Sequence, residues 1–285
     1  MRHAFFVSVC LGGAIALSAC EKKADADVER AIKTVNVIDE SNLNDVMLAA
    51  ADPDEAVTYF QRTAADNPDR IDVQRGLAKS LVRAQKPSEA AIAWGRVNSM
   101  PGSTDDDRVE YADALIRTSN WDKAEAELNK VPPTYETFKR YRLEAMIADS
   151  NKQWDKADSF YETAVGLTTK PSGVLNNWGY SKLTRGAYSE AEKLFFEALR
   201  YDPNMFTAKN NIVLARGAQR NYELPIVSMT QVERAQLLHT LALAAIKQGD
   251  VTIGRGLLQE AVDTHPQYFE AAERSLRALD QSATN

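Results

Sequence analysis

The chain has 285 residues, 44% of them hydrophobic and 26% charged, with a formal charge of −6 and two cysteines. The region after residue 20 is mildly acidic and carries no basic run, which argues against nucleic-acid binding. The length allows one or two domains, and no sustained period-two alternation marks a sheet.

The first twenty residues form a separate physical category. Arg2 supplies a positive start, Ala4 to Ala16 is apolar, and Leu17-Ser18-Ala19-Cys20 follows, then Glu21-Lys22-Lys23. The apolar run is too short to span a bilayer comfortably and reads as an export signal. Residues 17–20 resemble the lipobox of bacterial lipoproteins at every position. That resemblance implies a signal peptide of residues 1–19, cleavage before Cys20, lipidation of its thiol (palmitate among the acyl chains) and acylation of the new amine. The plainer alternative is a secretory signal followed by an unrelated cysteine. Cys10 leaves with the signal and Cys20 takes the lipid, so no thiol remains for a disulfide. Cleavage also removes Arg2 and no acidic residue, so attachment rests on acyl chains, each buried methylene contributing about 0.8 kcal/mol, and not on charge. Glu21 stands where enteric-type sorting uses aspartate for inner-membrane retention. Its presence points to the periplasmic face of the outer membrane. Residues 20–42 read as the lipidated cysteine and a polar tether, partly helical around Val28, Ile32, Val35 and Ile38.

The alanines at 56, 90, 124, 157 and 191 lie 34, 34, 33 and 34 residues apart. Each has Pro, Trp or Tyr three residues before it and a bulky apolar residue four after: Phe60, Trp94, Leu128, Tyr161 and Phe195. A period near 34 is that of the tetratricopeptide repeat (TPR), a stack of helix–turn–helix units. Residues 172–203 resemble that family throughout: Leu175, Trp178, Gly179, Gly186, Tyr188, Ala191, Phe195, Ala198 and Pro203 fall on its positions. Gly179 and Ala191 are small because the two helices cross closely there, where overpacking costs roughly 1–3 kcal/mol. Gly186 suits a left-handed helix end, and Pro203 cannot continue the second helix. Other units keep this skeleton, with Ala78, Ala112 and Ala145 near the crossing and Trp94, Trp121, Trp154 and Trp178 as core residues.

After Pro203 the period breaks. Residues 206–219 read as another first helix, but Tyr222-Glu-Leu-Pro-Ile-Val-Ser interrupts the expected second one. Leu241, Ala242, Gly249, Gly254, Leu258, Ala261 and Pro266 restore the pattern, and 268–280 reads as a capping helix whose polar face closes the array. The expectation is an all-α superhelical TPR solenoid over 43–285. Its repeats fall near 43–69, 71–102, 105–133, 138–170 and 172–204, followed by an interrupted unit at 206–234 and a repeat at 235–266.

The residues offer no catalytic constellation, so no enzyme, cofactor, metal or small-molecule substrate is expected. His239 and His265 sit in no metal-ligand spacing, and no phosphate loop or nucleophile elbow occurs. Asp105, Asp106 and Asp107 lack calcium-loop spacing and suit a helix start. Binding belongs instead to the groove that first helices line in TPR arrays. Arg75, Lys79 and Arg83 recur at i, i+4 and i+8, with Arg117 and Arg142 adding charge. Asn176-Asn177 and Asn210-Asn211 stand one period apart with Tyr180 beside them, and amides can hold an extended or helical peptide by its backbone. The peptide-binding set is therefore Arg75, Lys79, Arg83, Arg142, Asn177, Tyr180 and Asn211. The alternative is that each is a solvated residue or local cap. Ser41 and Asp45 occupy positions where chaperone-binding TPRs carry their carboxylate clamp, so no such clamp is expected.

A lipobox followed by TPR units resembles the TadD-type lipoprotein of the tight-adherence (Flp) pilus system, on Leu17–Cys20, the Leu175–Pro203 repeat with its LNNWG run, and the KNNIVLA helix. The resemblance implies an outer-membrane-tethered scaffold that assists pilus or secretion-system assembly, with the secretin or other envelope components as partners. A type IV pilotin, a BamD-like assembly subunit and an adaptor regulating murein hydrolases are the alternatives.

Overall fold

The computed structural model describes residues 43–284; Cys20, the lipobox and the tether lie outside the described residues. Their regular structure is all helical, with no strand among the described residues. The first helices are α1 (43–49), α2 (Pro53–Asp66), α3 (Ile71–Arg83), α4 (Pro87–Ser99) and α5 (Asp105–Arg117). There follow α6 (Trp121–Leu128), α7 (Phe138–Ser150), α8 (Trp154–Gly166), α9 (Ser172–Thr184) and α10 (Tyr188–Tyr201). The last are α11 (Phe206–Ala218), α12 (Gln231–Lys247), α13 (Val251–Thr264) and α14 (Glu270–Thr284). No helix among the described residues is long and apolar enough to cross a membrane.

Local chemistry sets these boundaries. Asp52 caps α2 through its side chain with Pro53 at the first helical turn, a position that suits a residue lacking an N–H. Asp105, Asp106 and Asp107 form the first turn of α5, where Thr104 and Asp107 close a capping box. Thr230 and Glu233 close another at the start of α12.

Most first helices end on one left-handed residue. Gln85, Ser119, Lys152, Gly186, Arg220 and Gly249 have φ between 55° and 86°. The first five recur at the repeat period and Gly249 follows Arg220 after 29 residues; four of the six carry a side chain, in a conformation that costs about 1–2 kcal/mol for an L-residue. The turn is closed by a backbone bond from the next N–H to a carbonyl five residues back. Examples are Lys86 to Leu81 at 3.0 Å, Ala187 to Lys182 at 2.9 Å and Asn221 to Arg216 at 3.0 Å.

The helices divide into two compact units, Met1–Thr118 and Ser119–Asn285. The boundary falls inside the stretch 105–133 that the spacing assigns to one repeat. In the first unit α2 packs on α3, α3 on α4 and α4 on α5. In the second, α7 packs on α8, α9 on α10, α10 on α11, α12 on α13 and α13 on α14.

The periodic residues form the core. Ala56, Ala90, Ala124, Ala157 and Ala191 are fully buried, and their bulky partners Phe60, Trp94, Leu128, Tyr161 and Phe195 are buried with them. A Cβ on Gly179 would stand 2.6 Å from the Phe195 ring, so only glycine permits that crossing. Gly76 is a second close approach that the spacing did not reveal: a Cβ there would lie 2.2 Å from Phe60, pressing α3 onto α2. Gly254 replaces the crossing alanine in α13 because a Cβ would lie 2.5 Å from Ile246 and 3.0 Å from the Ala242 carbonyl.

Residues 219–230 form no helix. Arg220 makes the usual turn, but Pro225 stands one period beyond Ala191, at the crossing position. Tyr222, Leu224 and Met229 instead pack onto Val213, Leu237 and Leu241. Without a second helix between them, α11 and α12 meet directly: a Cβ on Gly217 would lie 2.5 Å from the Ala244 methyl. α12 starts at Gln231, within the span assigned to the interrupted unit. α14 buries Ala272 and, with Phe269 just before it, lays Leu276 and Leu279 near Leu258 and Ala261, with a polar face outward.

Candidate functional site

A groove of about 490 Å³ opens in the second unit. Met146, Asp149 and Ser150 reach it from the end of α7, and Asn176, Asn177, Tyr180 and Ser181 from one face of α9. Thr207 and Asn211 enter from α11, while Trp121 and Trp154, the first residues of α6 and α8, form apolar wall. The four-residue spacing from Asn177 to Ser181 and from Thr207 to Asn211 puts these pairs on single helix faces.

Asn211 is 5% exposed, and its Nδ2 donates to Asn176 Oδ1 at 3.1 Å. This rung joins α9 to α11 and leaves the Asn176 amide as donor and the Asn211 oxygen as acceptor, the pair a peptide backbone requires. Asn177 Nδ2 lies 4.0 Å from Met146 Sδ. Asn210 faces away and accepts from Thr240 Oγ1 at 2.9 Å. Tyr180 is 53% exposed, a large aromatic surface at the groove mouth.

Asp149 lies at the floor. Tyr161 Oη donates to its Oδ2 at 2.8 Å and Ser181 Oγ to its Oδ1 at 2.6 Å. Burial pushes its carboxyl above the usual range, against those two hydrogen bonds and the more distant charge of Arg185. The Tyr161 hydroxyl is pushed far up by its own burial and by Asp149. Asp158 behaves oppositely. Burial works to raise it, but bonds from Trp178 Nε1 (2.6 Å), Lys182 Nζ (3.0 Å) and Arg185 hold it below the usual range. Arg185, so paired, lies 5.6 Å over the Trp154 ring and fixes that wall.

Of the expected binding residues, the groove unites Asn177, Tyr180 and Asn211. The arginines are placed otherwise. Arg75 Nε and Nη2 grip Asp107 at 2.7 and 2.6 Å, and Nη2 also reaches the Gly102 carbonyl at 2.9 Å. Arg83 donates to the Met47, Leu48 and Ala51 carbonyls at 3.1, 2.6 and 2.8 Å, closing the end of α1. Both are ties between helices, so their donors are engaged within the fold and are not the open charges that the spacing suggests. Their burial and multiple bonds also mean that removing them costs more than a surface substitution. Lys79 stays exposed on α3. Arg142 is half-buried over the Phe138 ring at 5.9 Å and is not among the residues lining the groove. Arg75, Lys79 and Arg83 belong to the first unit and the asparagines to the second. Trp121 and Trp154, read from sequence as core, are half-buried and line the groove.

One signal would have found the arginine ties: an opposite charge or acceptor just under one period away. Arg75 and Asp107, Lys86 and Asp54, and Ser181 and Asp149 all bond across 32 residues.

His239 is half-buried, its Nε2 3.3 Å from Ser275 Oγ, and burial holds it below the usual imidazole range. No group of three or more His, Cys, Asp or Glu residues among those described could hold a metal ion.

Comparison with known proteins agrees with this geometry. Residues 45–97 match the tetratricopeptide repeat family. A chain of the APC/C hetero-tetramer Cut9–Hcn1 is 13% identical with a TM-score of 0.59, over 83% of this chain and 48% of that one. The present chain thus spans about half the length of that protein. A tetratricopeptide repeat protein from Parabacteroides merdae is 14% identical with a TM-score of 0.53, covering 88% of this chain and 97% of the other. The C-terminal part of a TPR repeat-containing protein from Cytophaga hutchinsonii is 15% identical with a TM-score of 0.52, covering 81% and 98%. No curated protein matches the sequence. With a family match across its first two units and these structural likenesses across most of its length, the chain has the tetratricopeptide-repeat fold.

Proposed function

We propose that this protein is a membrane-tethered scaffold that holds a peptide segment of an envelope protein in the groove formed by α7, α9 and α11. The observation that carries the reading is the convergence of Asn176, Asn177, Tyr180 and Asn211 on one concavity. Backbone-reading amides beside an exposed aromatic suit an extended chain better than a compact metabolite. The tether rests on the Leu17–Cys20 lipobox, and Glu21 after the cysteine supports a position on the periplasmic face of the outer membrane. The resemblance of the sequence to TadD-type lipoproteins supports a role in Flp pilus or secretion-system assembly, with the secretin as the first partner to test.

The experiment is a pull-down from detergent-solubilised envelopes, blotted for the secretin, with the wild type, an Asn177→Ala/Asn211→Ala variant and Cys20→Ser. The asparagine variant should lose the partner while remaining membrane-bound, and Cys20→Ser should leave the membrane fraction and incorporate no labelled palmitate. Equal capture by the wild type and the asparagine variant refutes the groove. Membrane retention of Cys20→Ser refutes the anchor.

A further inference from the structure

Resting on the reading of the groove as a peptide site, a finer specificity can be drawn from its charge. Asp149 is the one formally charged residue among those lining the groove. Both its oxygens are bonded, but by neutral hydroxyls of Tyr161 and Ser181, and among the described residues it makes no ion pair. A carboxylate has about four acceptor sites, so two remain. The neighbouring cation Arg185 is committed to Asp158, whose other oxygen is held by Lys182. Around Asp149 stand Trp121, Trp154, Tyr180 and Met146, polarisable surfaces that favour a cation's stem and its charge.

We infer that the groove selects a peptide carrying a lysine or arginine side chain, its charged head on Asp149 and its methylenes along Trp121, Tyr180 and Met146. Such a cation supplies the counter-charge that the fold withholds from this one acid while providing it at Asp158. The raised carboxyl of Asp149 supports the same conclusion: an acid kept costly to ionise gains most from an arriving cation. The groups facing it are Tyr161 and Ser181 as donors, Asp158 as a like charge and Arg185 as an opposite one, with Arg142 on the same helix acting on the Tyr161 hydroxyl that it shares. A bound cation favours the ionised form, so affinity rises with pH through the elevated pKa of Asp149 and flattens above it.

The test titrates the full chain with acetyl-Phe-Lys-Phe-amide and with the same peptide carrying norleucine, which keeps the stem without the charge. Tryptophan fluorescence and calorimetry report binding. The lysine peptide should bind at least about tenfold tighter, and Asp149→Asn should abolish that preference while keeping the wild-type helical circular dichroism. A second variant, Ser150→Asp, adds charge at the rim, gives up only the Ser150 Oγ bond to the Ile147 carbonyl, leaves the Tyr161 and Ser181 bonds to Asp149 in place, and should raise the preference further. Equal binding of the two peptides, both weakened by Asn177→Ala/Asn211→Ala, overturns the basic specificity and leaves the groove reading intact. Absence of binding by either peptide, or n-butylammonium binding as tightly as the lysine peptide, overturns the inference too. A preference that survives in Asp149→Asn assigns the cation to another acid and refutes it.

Discussion

Gly179 and Phe195 set the closest contact in the ninth and tenth helices, and Gly179→Ala isolates its energy. The added Cβ would stand 2.6, 2.7 and 3.1 Å from three atoms of a ring that is itself fully buried. The ring is walled by Leu175, Ala191, Ala198 and Ile212 and has no open direction in which to yield. Overpacking of this kind costs about 1–3 kcal/mol, and replacing a mid-helix glycine by alanine returns roughly 0.5–1 kcal/mol. The net effect should be a loss of about 0.5–2 kcal/mol. Gly173 lies in the same helix with nothing within 4 Å of its hypothetical Cβ. Gly173, in the first turn of that helix, should give a neutral or slightly stabilising Gly173→Ala, separating the two variants by about 1–2 kcal/mol. Urea unfolding followed by helical circular dichroism measures both. On a Phe195→Leu background, Gly179→Ala should cost markedly less, because the atoms it strikes are gone. Equal stability of Gly179→Ala and Gly173→Ala would refute the crossing geometry.

Lys152 is exposed and left-handed at φ 57°, so Lys152→Gly should stabilise the chain by about 1 kcal/mol, while Gly186→Ala at φ 84° should destabilise it by about the same amount, both read by urea midpoint. Burial alone would raise Asp107, but its bonds to Arg75 and Thr104 outweigh it and hold the carboxyl below its usual value. A depressed folded pKa contributes stability above the unfolded value that is lost as pH falls through the folded one. The stability gap between the wild type and Asp107→Asn should therefore hold down to about pH 5 and narrow as the pH falls below the unfolded value of about 3.9; a gap that widens in acid refutes the pairing.

The core was legible because packing imposes a period. Only a small residue fits where two helices cross, so Ala56 through Ala191 announce the crossings, and Phe60 through Phe195 fill the spaces beside them. Pro225 shows the same rule by its breach: proline at a crossing position removes the helix. Long polar side chains carry no such constraint. Arg75 and Arg83 sit at a spacing that suits an open basic face, yet each reaches a neighbouring helix whose position the linear sequence does not show. Trp121 and Trp154 were hidden for a related reason. A tryptophan that begins a second helix has one edge in the core and the other in the groove, and composition does not distinguish the two edges. The asparagine pairs were half legible, since the 34-residue separation of Asn177 and Asn211 marks a shared groove but not that Asn211 bonds Asn176.

The interruption after α11 fixes a length scale for recognition. The groove lining runs from Trp121 to Asn211 and draws its first-helix residues from α7, α9 and α11. Neighbouring helices stand roughly 8–10 Å apart, so three of them offer a track of about 20 Å. An extended chain advances about 3.3 Å per residue, and about six residues fill that track. A partner thus needs only a short linear tag, presentable from a tail or loop, and unrelated proteins can acquire or lose such a tag by a few substitutions without altering their own folds.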